Sequence, residues 1–415
     1  MRKLFPQHGQ AHSDVMDALR KMKLGDSDWQ NGRVPLYVFD GGQDVFDIGR
    51  DAYFEFFKEN ALGGRRAFPS VLQMELDVTD MGLDLLGGPS GACGFMTTGG
   101  TESIVMAVQT ARNHARASRD QPDMRGNLVV AETAHPAFDK AARLMDLEVR
   151  RTPVRDDLRA DAAAFETAID ADTIMIVGSA PCFPYGVIDP IEELAELALR
   201  RRLWLHVDAC VGGYIAPFAA MLQRDIPAFD FTVPGVSSMS ADLHKFGFCP
   251  KPASTVYYRD ADMAAHHGFE FDAWPSGTFM TNTICGTRPA GGVAGAWAVF
   301  QYLGLEGYKR VTAEVMGFVD EYKLRISAID GLRIVGDPHL SIVAYTSDTF
   351  DIFAVAEELK AKGWVPGLLQ KPRAIHQMMS LVQARALDDY IADVTAAVAK
   401  VRAAPAKETD LTASY

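Results

Sequence analysis

The stretch Ser237–Ser254, SSMSADLHKFGFCPKPAS, decides how the rest of the chain is read. It runs from a hydroxyl-rich approach (Ser237, Ser238, Ser240) into the pair His244–Lys245, then into a turn closed by Pro250, Lys251 and Pro252. A lysine held between apolar residues at a strand end suits Schiff-base chemistry. Desolvation disfavours its ammonium, which predicts an amine able to attack a carbonyl at neutral pH. Residue type alone does not single out Lys245, because most lysines are solvated. The surrounding pattern has to supply the chemistry.

Outward from this stretch the chain alternates. Apolar, β-branched runs at Asn127–Ala131, Thr173–Val177, Leu203–Val207, Phe229–Val233 and Thr255–Tyr258 predict strands. Helical patterns at Pro136–Met145, Asp161–Ile169 and Ile191–Arg201 lie between them. Such alternation predicts a largely parallel, doubly wound sheet covered on both faces. Ligands of these sheets collect at the C-terminal strand ends. His135 follows the first run, Ser179 ends the second, Asp208 ends the third in HVDACVGG, and His244–Lys245 follows the serines. An acid at the end of a buried strand needs a partner. His135 reads equally as a helix-entry residue beside Pro136, and His266 and His267 read as surface residues rather than metal ligands.

Upstream, TTGGTES (97–103) opens a helix expected over Ser103–Ala117. Glycines let a backbone approach an anion, and the unpaired N–H groups of a helix start bind phosphate. Gly99, Gly100 and Thr101 are the candidates. Taken alone, the segment reads equally as a Gly-rich turn with a threonine cap and Glu102 in the first turn; it is not GxGxxG and lacks the P-loop lysine.

The ends of the chain differ from this middle. Residues 1–60 form an N-terminal arm with short helices expected at Val15–Met22 and Asp51–Glu59, too small to bury its own apolar face. A polar turn, Gly63–Arg66, precedes a helix expected over Ser70–Leu86. Residues 61–310 form the large domain. Residues 311–403 form a smaller α+β domain, with helices at Gly307–Ile329, Phe353–Lys362 and Leu387–Val401 and strands near Leu332–Val335 and Ser341–Ala344. Residues 404–415 are a loose tail.

Bulk properties bound the function. With 54 acidic and 41 basic residues the net charge is −13, which argues against a nucleic-acid or anionic-membrane binder. No apolar run approaches the roughly 20 residues that span a bilayer, and the N-terminus turns polar too early for a secretory signal. The five cysteines are scattered without CxxC or zinc-type spacing, so no metal site is expected and the compartment reads as reducing and cytoplasmic.

A phosphate-binding turn, an acid at a strand end and a lysine 37 residues after it together describe a pyridoxal 5'-phosphate site. Lys245 would hold the cofactor aldehyde as an imine, Asp208 would keep the pyridine nitrogen protonated, and His135 would stack on the ring. TTGGTES, AHPAFDKAA (134–142), FPYGVIDP (183–190), HVDACVGGY (206–214), SMSADLHKFGFCPK (238–251), GTRPAGG (286–292) and DIFAVAEELKAKGW (351–364) occur in this order. In these stretches the chain resembles the sphingosine-1-phosphate lyase family, in the group II decarboxylase branch of fold-type-I pyridoxal-phosphate enzymes. The resemblance implies that fold, a homodimer with shared active sites, and cofactor contacts from Gly99, Gly100, Thr101, His135, Ser179, Asp208, Ser240, His244 and Lys245. It further implies Gly286 and Thr287 from the other subunit, and Lys251 on a substrate phosphate.

Two departures stand out. Where the lyases carry a substrate-phosphate histidine, this chain reads NALGGRRAFPS (60–70), leaving Arg65 or Arg66 to substitute for its charge; WPSGTFMTN (274–282) replaces a WQGG-type turn followed by tyrosine. The leading expectation is retro-aldol cleavage of a phosphorylated amino alcohol to an aldehyde and a phosphoamine. An L-amino-acid decarboxylase is the alternative, and a silent homologue acting as an oligomeric binding protein is the remote one. The cofactor residues serve the first two equally. Lys251 favours a phosphorylated substrate, and the missing histidine favours the decarboxylase or a different head group.

Overall fold

Strand and helix alternate through the middle of the chain because short β-branched runs and amphipathic stretches follow one another there. The computed structural model describes residues 2–403 together with 409, 411 and 413, so most of the tail expected after Ala403 lies outside the described residues. In the arm, α1 (His12–Lys23) has no buried residue, and α2 (Gln43–Glu55) starts well before the expected helix at Asp51. Helix α3 (Pro69–Leu85) takes Pro69 in its first turn, where no N–H is missed, and buries Val71, Met74, Val78 and Leu83.

The large domain then runs β1 (Cys93–Thr97), α4 (Gly100–Ser118), β2 (Asn127–Ala131), α5 (Ala137–Met145), β3 (Glu148–Thr152), α6 (Ala162–Ala168), β4 (Thr173–Ser179), α7 (Ile191–Arg201), β5 (Trp204–Asp208), α8 (Ala216–Met221), β6 (Val236–Ala241) and β7 (Ser254–Tyr258). Its sheet has the order β1-β7-β6-β5-β4-β2-β3, with β7 alone antiparallel to its neighbours. Strands β2, β4 and β5 are wholly buried, as near-continuous apolar runs in a covered parallel sheet should be. The C-terminal ends of β1, β2, β4, β5 and β6 therefore share one edge, and the start of β7 returns to it.

Phe229–Val233 is not a strand. It is a buried turn, with Phe231 N–H donating to the Leu86 carbonyl and Asp230 Oδ1 accepting the Thr232 N–H at 2.9 Å. Phe229, Phe231 and Val233 still point into the core, which is what their spacing recorded. The strand is the serine-rich β6, poor in β-formers. Its buried hydroxyls are satisfied: Ser238 accepts from Trp204 Nε1 at 2.6 Å and meets His206 Nδ1 at 2.8 Å. Tertiary partners override propensity here. Strands β1 and β3 were not foreseen either.

After β7 come α9 (Ala261–Ala264), the hairpin β8 (Phe269–Phe271) and β9 (Phe279–Thr281), and α10 (Ala290–Ser327), broken at Gly304 where φ is 52°. Helix α10 begins far ahead of Gly307, through a glycine-rich segment that disfavours helix. Close approach explains it: a Cβ on Gly292 would lie 2.4 Å from the Pro252 carbonyl oxygen. The small unit follows with β10 (Arg333–Ile334), β11 (Ile342–Thr346), α11 (Ile352–Ala361), β12 (Gly367–Gln370), β13 (Arg373–Met378), α12 (Leu381–Ala384) and α13 (Leu387–Ala403). Its antiparallel sheet has the order β10-β11-β13-β12. Among the described residues no helix is long and apolar enough to cross a membrane.

Candidate active site

Strand register assembles the site. Ser179 pairs with Asp208, and Asp208 with Ser240, so three of the expected residues form a row across β4, β5 and β6. Asp208 is 8% exposed, and its Oδ1 accepts the Cys210 N–H at 3.1 Å and the Ser240 hydroxyl at 3.3 Å. Its Oδ2 accepts no hydrogen bond among the described residues. Ser240 in turn meets His206 Nε2 at 3.2 Å. Burial holds the His206 pKa down at about 4, so that ring is a neutral strut under the strand ends.

His135 follows β2 at the same edge, within electrostatic reach of Asp208, Lys245 and Asp242. Burial lowers its pKa in spite of the two carboxylates. Its Nδ1 accepts the Ala137 N–H at 3.1 Å, so the ring's proton sits on Nε2. His244 is arranged likewise: Nδ1 faces the Ala253 N–H at 3.3 Å, burial lowers its pKa, and Nε2–H is left as a donor toward the site.

Lys245 corrects an expectation. Burial does pull its pKa down, but the carboxylates of Asp242 and Asp208 outweigh it, and the pKa rises above the ordinary lysine value. Asp242 is 2% exposed with Oδ2 3.0 Å from Nζ. With Asp242 beside it, a free Lys245 side chain is held as an ammonium. Desolvation acts on Lys245 as on any buried amine, but the carboxylate three residues upstream opposes it: a buried acid needs a partner, and Asp242 finds it in Lys245.

Helix α4 starts at the same edge. Gly100, Thr101 and Glu102 precede the first intrahelical bond, from Ser103 N–H to the Gly99 carbonyl, so their N–H groups have no acceptor within the helix. Thr101 is exposed. Glu102, read as an ordinary first-turn acid, is a buried fastener. Its Oε2 accepts the Thr98 N–H and hydroxyl, both at 2.7 Å, and its Oε1 accepts the N–H groups of Ile284 and Cys285 at 2.8 and 3.3 Å. The loop carrying Gly286 and Thr287 is thus tied to the helix start, and Asn60 holds its far side through Thr287 Oγ1 at 3.2 Å and the Arg288 N–H at 3.3 Å. Only contacts distant in sequence reveal these two residues.

The donor set fits pyridoxal phosphate. Unpaired helix N–H groups and His244 Nε2–H suit a phosphate, Asp208 Oδ2 suits a protonated ring nitrogen, His135 offers a flat neutral ring, and Lys245 offers a nitrogen that can join a carbonyl carbon once it gives up a proton. Ser179 contributes its backbone, locked to Asp189 Oδ2 at 2.7 Å. Beyond this floor, Lys251 is exposed and borders a cavity of about 530 Å³ lined also by Phe39, Phe46, Tyr53, Phe54 and Phe248. Arg65 and Arg66 lie exposed on the turn before α3 and do not line that cavity. His267 is fully buried, bonded to Tyr258 and stacked on Phe95, which corrects its surface reading.

Comparison with known proteins adds to this geometry. The family described as the pyridoxal-dependent decarboxylase conserved domain matches residues 58–347. A sphingosine-1-phosphate lyase from Oryza sativa subsp. japonica is 40% identical over 403 residues, covering 95% of this chain and 74% of that protein. The structure of a sphingosine-1-phosphate lyase from Burkholderia pseudomallei superposes with a TM-score of 0.92 at 35% identity, covering 97% of this chain and 94% of that one. A glutamate decarboxylase from Lactobacillus brevis shares the fold, with a TM-score of 0.84 at 19% identity over 98% of this chain and 96% of that one.

Proposed function

The chain belongs to the pyridoxal-dependent decarboxylase family, in its sphingosine-1-phosphate lyase branch, and from that premise we propose that it cleaves the Cα–Cβ bond of a phosphorylated amino alcohol. The products are an aldehyde and a phosphorylated amine. When bound, pyridoxal phosphate supplies the electron sink that stabilises negative charge on the substrate's α-carbon.

The chain's own residues do the rest. Asp208 Oδ2 would accept a hydrogen bond from the protonated ring nitrogen and hold the proton on that nitrogen. His135 covers the ring face as a neutral imidazole. The first turn of α4 and His244 hold the cofactor phosphate. Lys245 Nζ would hold the cofactor aldehyde, and once released it would carry a proton taken from the substrate ammonium, facing Asp242. Lys251 binds the substrate phosphate, and the aromatic cavity beside it receives an apolar chain. The observation that carries this reading is the place of Lys251, a cation set beside His244 and bordering a cavity lined largely by aromatic and apolar side chains, with Arg50 and Arg385 also on its wall.

A homodimer completes the site in this reading. Asn60 and Glu102 present the loop of Gly286 and Thr287 at an exposed edge, near the exposed apolar residues Phe54, Phe57 and Leu62. An apolar edge beside a site loop is what a shared active site needs. Five free thiols support a reducing, cytoplasmic setting.

The test is a product assay on purified, cofactor-loaded protein offered phosphorylated long-chain amino alcohols beside L-amino acids, with aldehyde and carbon dioxide both monitored. Aldehyde from the phosphorylated substrate, weakened in Lys251→Ala, is the expected result. Carbon dioxide from an amino acid with no aldehyde overturns the lyase reading and leaves the cofactor site standing.

A further inference from the structure

One buried acid is more heavily committed than a counter-ion needs to be. Asp242 follows directly on β6, and its Oδ1 accepts the Ser254 hydroxyl at 2.5 Å. Ser254 Oγ lies 2.8 Å from Ser103 Oγ, and Ser103 Oγ lies 2.6 Å from Thr97 Oγ1. All three hydroxyls are buried. Each has one proton to give. With that of Ser254 spent on the carboxylate, Ser103 donates to Ser254 and Thr97 to Ser103, so hydroxyls from β1, α4 and β7 polarise toward one oxygen. The α4 backbone crowds the other side: a Cβ on Gly100 would lie 2.8 and 2.9 Å from the two Asp242 oxygens. The positive end of that helix favours an anion there. Among the described residues two imidazoles also reach the carboxylate, His244 with Nε2 at 3.8 Å and His135 from the loop after β2, and burial keeps both rings neutral.

We propose that Asp242 is a positioning residue for Lys245, a carboxylate fixed by the Thr97–Ser103–Ser254 hydroxyl chain that keeps one positive charge on Nζ whether the nitrogen is free or carries a carbonyl carbon. The inference rests on the cofactor reading only for what Lys245 captures. Capture begins with one proton leaving the ammonium for solvent. The amine lone pair then forms the C–N bond while the carbonyl π pair moves to oxygen. The oxygen departs as water with a second nitrogen proton and one proton from solvent, leaving a C=N bond with one N–H. The charge opposite Asp242 is the same before and after, and absent between. Asp242 therefore slows capture at neutral pH and holds the linkage protonated at high pH. The other titratable groups facing Lys245 are Asp208 and Cys210 from the end of β5, His135 from the loop after β2, and His244 beside it, with Lys251 acting on His244.

Two measurements on cofactor-free protein test this. In the first, acetic anhydride is applied across pH and acetylation of Lys245 is followed by peptide mass. In the second, pyridoxal phosphate is added and the visible band of the linkage is followed against time and pH. Asp242→Asn, which keeps the shape and removes the charge, is expected to move the acetylation midpoint down by at least about one pH unit, equivalent to about tenfold more amine at neutral pH. Capture speeds up by a similar factor, and the band is lost at a lower pH than in the unchanged protein. Ser254→Ala shifts both in the same direction by less, and it carries the test should Asp242→Asn fail to fold. Midpoints that stay put in folded variants overturn the proposal. Acetylation that shifts while no variant captures pyridoxal phosphate upholds Asp242 and sinks the cofactor reading instead.

Discussion

At the floor of the site Lys245, Asp242 and Asp208 sit among hydrogen bonds from strands β1, β5, β6 and β7, whereas at its mouth Lys251 is an exposed side chain on a turn, and Arg65 and Arg66 stand apart from the cavity it borders. Asp242 is tied on three sides, by Lys245, Ser254 and the α4 backbone. Lys251 has no hydrogen-bond or ion-pair partner among the described residues; its side chain reaches solvent, and the protein packed along it lowers its pKa. The floor handles one fixed group, so its geometry is over-determined and each partner's position depends on the others. The mouth must admit and release a substrate, so it is built from long side chains and an open cavity. Chemistry is settled at the floor and substrate choice at the mouth.

Substitutions can break that contrast or sharpen it. The largest effect is expected from Lys245→Ala: turnover falls at least roughly 10³-fold and the visible band of the cofactor linkage is absent. Asp208→Asn should cost about 10²–10³-fold in kcat while the band persists, because the carboxylate acts on charge that develops at the far side of the ring. A band lost together with activity would mean that Asp208 holds the cofactor rather than tuning it.

Glu102→Ala leaves the part-buried N–H groups of Thr98, Ile284 and Cys285 without their acceptor, at about 0.5–1.5 kcal/mol for each hydrogen bond lost. A cofactor titration should show affinity weakened at least about tenfold. Unchanged affinity would detach the Gly286–Thr287 loop from the phosphate site. The smallest effect belongs to the mouth. Lys251→Ala should raise KM about tenfold for a phosphorylated substrate, with kcat and the cofactor spectrum nearly unchanged. A matching fall in kcat would move Lys251 into the floor.

Much of the floor was legible in the order of residues. Lys245, Asp208, Ser240 and Ser179 meet at one edge because parallel strands end there, and apolar runs betray such strands. Glu102 and Asp242 were passed over for a common reason. An acid in a helix's first turn, or near a lysine, is ordinary in local sequence, and its importance lies in partners more than a hundred residues away or in burial that no window reveals. Phe229–Val233 failed in the opposite sense, since its alternation recorded burial correctly but not the backbone that achieves it.

What the sequence determined by itself was the alternation of strand and helix, the glycine-rich helix start and the placing of Asp208 and Lys245 at strand ends, because each depends on residue type against a local pattern. Tertiary structure alone decided the state of Lys245. Its charge follows from the balance between burial and a carboxylate at 3.0 Å, and the burial of that pair comes from β5, β7 and the start of α4, which no local stretch of sequence contains.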